Sequence, residues 1–131
     1  MTVNGNLSIS GNVTGITASQ VGAVPGSSFA SGAIADDGFA SFDLPSTRGI
    51  IIITERVVGA VAEHLIAYFN TITPRLNAWD TGASTAVTTG ALTGTTGTDG
   101  NFTASVDTNG KLYLENRRGG NRAYGIAVLS L

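Results

Sequence analysis

Several kinds of residue are missing or scarce in this chain of 131 residues, and each absence excludes a class of chemistry. Cysteine does not occur, which excludes disulfides, thiolate metal sites and thiol nucleophiles. Charged side chains make up 12%, about half of the roughly 25% in an average soluble domain. Histidine occurs once, and no apolar run approaches the about 20 residues that span a bilayer. The sequence therefore predicts no thiol chemistry and no membrane insertion.

Small polar and β-branched residues take the place of the missing charges. The chain contains 18 glycines and is rich in Thr, Ser and Asn, a composition that favours turns and strands over helices. Hydrophobic residues make up 42%, which is enough for a buried core. The net charge is −2 and no basic stripe occurs, so nucleic acid is not a predicted partner. We expect an all-β chain whose surface tolerates packing against another copy of itself.

The distribution of charge divides the chain into two regions. Residues 1–33 contain no Lys, Arg, Asp or Glu, and residues 25–32 have the Pro, Gly and Ser composition of a linker. We therefore predict an extended N-terminal attachment segment with its linker over residues 1–33 and a β-sandwich domain over residues 34–131. Residues 1–15 have neither a basic start nor a continuous apolar run, so no secretory signal is predicted there.

A short repeat lies in the first region. The sequence Gly-Asn-Leu-Ser at residues 5–8 recurs as Gly-Asn-Val-Thr at residues 11–14, and each copy places an aliphatic residue after a turn signal. Two such units cannot bury their own aliphatic side chains, because repeat units need stacked neighbours or partner chains. We predict that three chains wind together here; the alternative is an unstructured polar leader. The predicted contact residues are Leu7, Ile9, Val13 and Ile16.

The second region has the pattern of seven or eight short strands joined by polar loops, which is typical of a jelly-roll β-sandwich. Residues 39–44 alternate, with Ala40, Phe42 and Leu44 on one face and residues 39, 41 and 43 on the other. The β-branched run 50–53 predicts a strand covered on both faces. Asn109-Gly110 predicts a hairpin with a type I′ turn. Further strands are expected at 63–70, 76–79, 85–89, 101–107, 112–114 and 124–131, with a loop over 90–100.

The last predicted strand is apolar on both faces. Tyr124, Ile126 and Val128 form a bulky face, and residues 123, 125, 127 and 129 form a face of mostly small residues. Small residues permit the close approach of a second sheet or subunit. We therefore expect this strand to lie centrally in the domain or beside a symmetry axis, with Leu131 as a subunit contact.

No constellation of residues predicts catalysis, a metal site or a cofactor. His64 is the only histidine and has no ligand spacing around it. Asp36-Asp37-Gly38 lacks the spaced carboxylates of a calcium loop and predicts a turn. Lys111 is the only lysine and does not follow the glycine-rich loop, which excludes a phosphate-binding loop of the Gly-Lys-Ser/Thr type. The chain is predicted not to be an enzyme.

One charged cluster suggests a binding role. Arg117, Arg118 and Arg122 flank the Gly119-Gly120 turn, and on a hairpin tip they would contact phosphate or carboxylate groups of a surface polysaccharide. The alternative, which we favour, is a solvated turn whose arginines pair with Glu115 or with an acidic group of a neighbouring subunit.

Three segments resemble bacteriophage fibre proteins. Residues 4–17, Asn-Gly-Asn-Leu-Ser-Ile-Ser-Gly-Asn-Val-Thr-Gly-Ile-Thr, resemble the Gly-Asn repeats of fibre shafts. Residues 17–25, Thr-Ala-Ser-Gln-Val-Gly-Ala-Val-Pro, are similar to a Val-Gly-Ala-aliphatic-Pro element of tail fibres. The Thr-Gly loop at 89–100, with Lys-Leu-Tyr-Leu-Glu-Asn-Arg at 111–117, resembles the β-sandwich heads of fibres and spikes.

The resemblance implies a virion protein made in the bacterial cytoplasm and released by lysis. It implies an intertwined homotrimer that attaches to other virion proteins through residues 1–25 and contacts a host-surface polysaccharide or protein through its head. A tail-fibre receptor-binding module is the leading hypothesis, and a capsid head fibre or decoration protein is the alternative because the chain is shorter than most fibres. A cellular trimeric sandwich of the tumour-necrosis-factor or complement-head type, and a glycan-cleaving enzyme, also stay open.

Overall fold

The computed structural model describes residues 26–56 and 62–131, so the predictions for Leu7, Ile9, Val13 and Ile16 lie outside the described residues. The described residues form nine strands. Their bounds are β1 Gly26–Ile34, β2 Gly38–Asp43, β3 Arg48–Glu55, β4 His64–Asn70, β5 Arg75–Thr81, β6 Thr85–Thr89, β7 Phe102–Val106, β8 Lys111–Asn116 and β9 Arg122–Ser130. In this part of the chain there is no helix long and apolar enough to cross a membrane.

The strands form two packed sheets, which confirms the all-β sandwich. One sheet has the order β1-β9-β3-β4-β5 and the other β2-β8-β7-β6. The chain alternates between the sheets from β1 to β3 and from β8 to β9, as in a jelly roll. Strands β3, β4 and β5 instead follow one another in one sheet, and β6 pairs parallel with β7, whereas jelly rolls are built from antiparallel strands.

The core lies between the sheets and is filled by alternate residues of both. Phe102 of β7 and Tyr124 of β9 stack across it with ring centroids 4.3 Å apart. The expected faces of 39–44, 102–106 and 124–128 are confirmed, because every second residue of these segments packs into the core. The buried apolar residues are Ile34, Ile51, Ile53, Leu65, Ala67, Phe69, Leu76, Phe102, Ala104, Val106, Leu112, Leu114, Tyr124, Ile126 and Val128.

Strand β3 is covered on one face only within a single chain, which corrects the prediction of two-sided burial. Ile51 and Ile53 are fully buried, whereas Ile50 is half-buried and Ile52 is 36% exposed. The uncovered side chains belong to the outer face of the five-stranded sheet, on which no other described element packs. The apolar run 50–53 therefore supplies side chains both to the core and to this outer face.

Residues 26–32, which belong to the segment 25–32 predicted as a linker, form most of strand β1 instead. The strand pairs antiparallel with β9 from Gly26 opposite Leu129 to Ile34 opposite Arg122. Phe29 packs on Phe42 of the other sheet, with ring centroids 5.1 Å apart. The linker prediction is therefore wrong here, because backbone pairing and one aromatic side chain outweigh the Gly and Ser composition. Strand β9 lies centrally in its sheet, between β1 and β3, as expected.

The hairpin between β7 and β8 is confirmed, but its turn is not of type I′. A type I′ turn needs positive φ at both central residues. Gly110 has φ 77°, whereas Asn109 is not among the described residues with positive φ. The carboxylate of Asp107 accepts hydrogen bonds from the N–H groups of Asn109 and Lys111, both at 2.9 Å, and these contacts hold Asn109 in the ordinary region.

The sandwich has two distinct ends. At the leader end, residue 26 enters beside Leu129, and Leu131 donates its N–H to the carbonyl of Arg48 at 3.1 Å. The turn at 71–74 and the hairpin at 107–110 also lie at this end, since they join strand ends paired there. The opposite, loop end carries residues 36–38, 94–101 and 117–121.

Candidate functional site

The loop end of the sandwich gathers most of the buried charged groups of the described residues, and their contacts fix three loops. Residues 36–38 join β1 to β2, residues 90–101 connect the parallel pair β6 and β7, and residues 117–121 join β8 to β9. The side-chain amide of Asn116 ties two of these connections together, donating to the carbonyls of Ile34 at 2.9 Å and Gly120 at 2.6 Å.

A buried carboxylate holds the Thr-Gly loop against the outer face of the four-stranded sheet. Glu115 is fully buried and accepts hydrogen bonds from the N–H groups of Gly94 at 2.9 Å, Thr96 at 3.0 Å and Gly97 at 2.6 Å. Charge-assisted bonds of this kind are about twice as strong as neutral ones. The carboxylate of Glu115, which was predicted to pair with the arginines, therefore binds backbone amides instead.

Arg117 joins all three loops. Its Nε donates to Oδ1 of Asp37 at 2.9 Å, its Nη1 donates to the carbonyl of Gly97 at 2.6 Å, and Nη2 lies 3.9 Å from Oδ1 of Asp99. The hydrogen bond to Asp37 raises the pKa of Arg117 further above its usual value. The side chain is 20% exposed, so its outer edge reaches solvent. Its hydrogen bonds go to acceptors of the same chain.

Arg118 and Arg122 converge on the buried carboxylate of Glu55. Nη1 of Arg118 donates to Oε2 of Glu55 at 2.5 Å, and Nη2 lies 3.6 Å from Oε1 of Glu63. Nε of Arg122 lies 3.2 Å from Oε1 of Glu55, as an ion pair without the angle of a hydrogen bond. Glu63 also accepts from the N–H of Ser84 at 3.0 Å. The acidic partners come from the same chain.

Tyr124 brings a buried hydroxyl to the inner side of this ion cluster. Its ring is fully buried, and its hydroxyl has no hydrogen-bond partner among the described residues. Burial, followed by the negative charge of Glu55, raises the pKa of Tyr124 far above its usual value. The phenol is therefore held in its neutral form beside the ion cluster.

The acidic turn before β2 is a structural corner, as predicted. Asp37 has φ 54°, and the N–H of Gly38 donates to the carbonyl of Ala35 at 3.1 Å. Oδ1 of Asp36 accepts from the N–H of Gly119 at 2.8 Å. Both carboxylates of the turn thus bind residues 117–119, and the described residues contain no group of three or more His, Asp or Glu able to hold a metal ion.

The resulting surface is a rigid polar tip. Its groups facing solvent include the hydroxyls of Thr95 and Thr98, the amide of Asn121 and the carboxylate of Asp99, whose side chain is 85% exposed. His64 lies on β4, where its Nε2 is 3.1 Å from Oδ2 of Asp80, so the only imidazole contacts one carboxylate. An arrangement of this kind offers hydrogen bonds to a polar ligand.

The sequence-predicted site residues fall in two places. The structure brings Arg117, Arg118 and Arg122 together at the loop end, half-buried and paired within the chain. It places Leu131 at the opposite end, 67% exposed. Glu55 and Glu63 were not predicted as site residues. The one feature of the sequence that points to them is their position, because Glu55 ends the apolar strand β3 and Glu63 directly precedes the apolar strand β4.

Comparison with protein-family models, with curated proteins and with solved structures finds no match to this chain.

Proposed function

We propose that this chain is a non-enzymatic virion protein, a trimeric tail-fibre module that attaches the particle to the host surface. The observation that carries the proposal is that the point where residues 1–25 join the sandwich and the polar tip lie at opposite ends. Residues 1–25 lead into β1 at one end, and the rigid polar tip lies at the other. A protein anchored through residues 1–25 would therefore present its tip away from the particle.

The construction of the tip supports a binding role. Loops that carry function are usually mobile unless a scaffold fixes them. Here Glu115, Arg117 and Asp36 hold the tip backbone through charge-assisted hydrogen bonds, which lowers the entropy lost on binding. The exposed hydroxyls and amides suit a polysaccharide or a polar protein surface. The arginine contact predicted from sequence would use the outer edges of the three guanidinium groups.

Two measurements test this proposal. Light scattering of the full chain is expected to give the mass of three chains. Labelled protein is expected to bind intact host bacteria or their purified surface polysaccharide, and Thr95→Glu with Thr98→Glu should weaken that binding at least about tenfold. Thr73→Glu, at the leader end, is the matched control and should bind normally. A monomer, or binding that ignores the tip substitutions, would contradict the proposal.

A second candidate is a capsid head fibre or decoration protein held on the shell through residues 1–25. The observation that favours it is the internal pairing of Arg117, Arg118 and Arg122, which leaves the tip without a fully free cation at these three positions. Immunogold labelling separates the candidates: label on capsids supports this one, and label on tail tips supports the first. Deletion of residues 1–25 should abolish incorporation into virions under both.

A further inference from the structure

The outer face of the five-stranded sheet contains a recess of about 350 Å³. Its floor is formed by the small residues Gly125 and Ala127 of β9, and its walls are residues of β1 and β3. Ile52 stands on one side opposite Ala127, and Arg56 closes the top. The surrounding face is apolar and lacks charge in its centre, where Ile50, Ile52, Ile66, Tyr68 and Leu129 lie side by side.

Arg56 is placed to bind an anionic or aromatic group at this recess. A Cβ built on Gly125 would lie 3.9 Å from Cδ of Arg56, so the arginine stem leans over the floor of the recess. Arg56 is exposed, and the ion pairs of the described residues leave it without a carboxylate partner. A guanidinium beside an apolar recess favours a flat aromatic ring together with a carboxylate.

The same sheet presents such a pair of groups at its edge strand β5. Trp79 is 62% exposed, and it is the extra residue of a β-bulge, since Ile66 pairs with Asp80 and Ala67 with Ala78. Bulges commonly re-aim a side chain. Asp80 follows directly, and its side chain is 64% exposed. Its Oδ2 lies 3.1 Å from Nε2 of His64, while no described residue bonds its Oδ1. Ile66, Ile52 and Ala127 share one row of the sheet, so this pair and the recess lie at the same height.

We propose that Trp79 and Asp80 of one copy dock into the recess of a second copy, with the indole over Gly125 and Ala127 and the carboxylate on Arg56. The recess exceeds the size of an indole, and the hydroxyls of Ser28 and Thr54 on its walls can accept the indole N–H. Arg56 then contacts both the ring and the carboxylate. Buried Trp and Arg are the residues that most often dominate the binding energy of an interface.

A second copy fits this surface better than a different partner, because one chain supplies both halves of the contact. Trp79 and Asp80 at one edge match the recess and Arg56 in size, polarity and sign of charge. Five strands about 4.8 Å apart make the outer face about 24 Å wide, and a standard interface buries about 800 Å² per partner. A contact between two different patches generates a closed ring when the rotation permits, which a trimer requires.

This inference deepens the proposed function, which needs a homotrimer but names no contact between the head domains. It rests on that function only for the number of subunits. The same edge-to-recess contact repeated around a three-fold axis joins three sandwiches without using the tip. The loop end would stay free for a host ligand.

Sedimentation of the full chain over a range of concentrations tests the contact, with fluorescence as a second readout. Trp79 is the only tryptophan, so all indole emission reports on this position. In the assembled wild type we expect blue-shifted emission and protection from acrylamide, both lost on dilution as the copies separate. Trp79→Ala should weaken association at least about 30-fold, the effect of removing a central interface Trp.

Variants of the recess separate a lost contact from a lost fold. Gly125→Val fills the recess, yet the nearest atom to an added Cβ is 3.5 Å away, so the monomer should fold normally and associate weakly. Arg56→Asp and Asp80→Arg should each weaken association, and together they should restore it. Ile72→Ala is the control, because Ile72 is 68% exposed at the leader end, outside the contact.

The outcomes distinguish this inference from the proposed function. A wild type of three chains whose mass ignores all recess and Trp79 variants overturns the contact and leaves the trimer. A wild type of two chains that responds to the variants supports the contact and removes the trimer. A wild type that is monomeric at every concentration, with Trp79 fully open to acrylamide, overturns both.

Discussion

At the scale of single residues, Glu115 is the side chain that most directly shapes the tip. Its three amide donors would face a competing NH₂ group in Glu115→Gln, and the loop at 94–97 would lose its charge-assisted bonds. We expect a loss of about 3 kcal/mol in the free energy of unfolding, measured by urea denaturation.

The matched control for Glu115 is Asp43→Asn. Asp43 forms an ion pair of 2.7 Å with Lys111, but its side chain is 84% exposed, and exposed pairs contribute at most about 1 kcal/mol. Equal losses in the two variants would show that the Glu115 carboxylate does not anchor the loop.

Asp107 gives the fold a pH dependence. Burial raises its pKa, but hydrogen bonds from the N–H of Lys111, from the side chain of Asn109 and from the hydroxyl of Tyr113 lower it more, so the pKa lies below 3.8. A carboxyl whose pKa is lower in the folded state adds stability above its unfolded pKa, and this stability is lost as the pH falls through the folded value. Unfolding free energies should therefore fall as the pH drops below about 3.8.

The variant Asp107→Asn isolates this contribution. It should be less stable than the wild type at neutral pH, and the difference should shrink as the pH falls below about 3.8, which chemical denaturation at a series of pH values measures. A difference that stays constant with pH would mean that the charge of Asp107 contributes nothing.

At the scale of elements, the loop between β6 and β7 depends on close approach at Gly94. Its φ is 100°, and an added Cβ would collide with the carbonyl oxygen of Asp37. Gly90 has a similar φ of 92° with open space around it. Gly90→Ala should therefore cost only the left-handed strain of about 1 kcal/mol, and Gly94→Ala at least about 2 kcal/mol more, by thermal and urea unfolding. Equal losses of stability in the two variants would show that Gly94 does not lie against the carbonyl of Asp37.

Strand β1 is expected to be indispensable to the sandwich. A chain shortened to start at Gly26 should keep the folded β-sheet circular dichroism and a cooperative melt. A chain that starts at Ala35 should lose both, because it exposes the edge of β9 and removes Phe29 from Phe42. Equal melting of the two chains would restore the linker interpretation of residues 26–32.

At the scale of the whole molecule, the order of strands predicts slow folding. Strand β9 completes the five-stranded sheet between β1 and β3, so its partners are far away along the chain. Such non-local pairing gives folding times of milliseconds to seconds. Stopped-flow circular dichroism after dilution from denaturant measures this time, and refolding in microseconds would contradict it.

The same scale shows what the sequence could and could not predict. Alternation identified the core faces of β2, β7 and β9, because burial on one side of a strand imposes a period of two. Alternation did not predict β1, because its Gly and Ser residues show no apolar period although the strand pairs with β9. It also did not predict that β6 pairs parallel with β7, an arrangement that the long connection between them permits. The arginines were found as a cluster, but Glu55 and Glu63, the partners of Arg118 and Arg122, meet them only through the fold.

Because β1 and β9 pair side by side, the first and last residues of the sandwich lie close together. Gly26 lies opposite Leu129 on a neighbouring strand, so a few added residues would join position 131 to position 26. If the chain were then cut between Gly119 and Gly120, the new N- and C-termini would lie at the loop end. The leader end would carry the added connection in place of the original termini. Such a permuted chain keeps the sheet pairings of the described residues while it moves the ends of the chain from the leader end to the loop end.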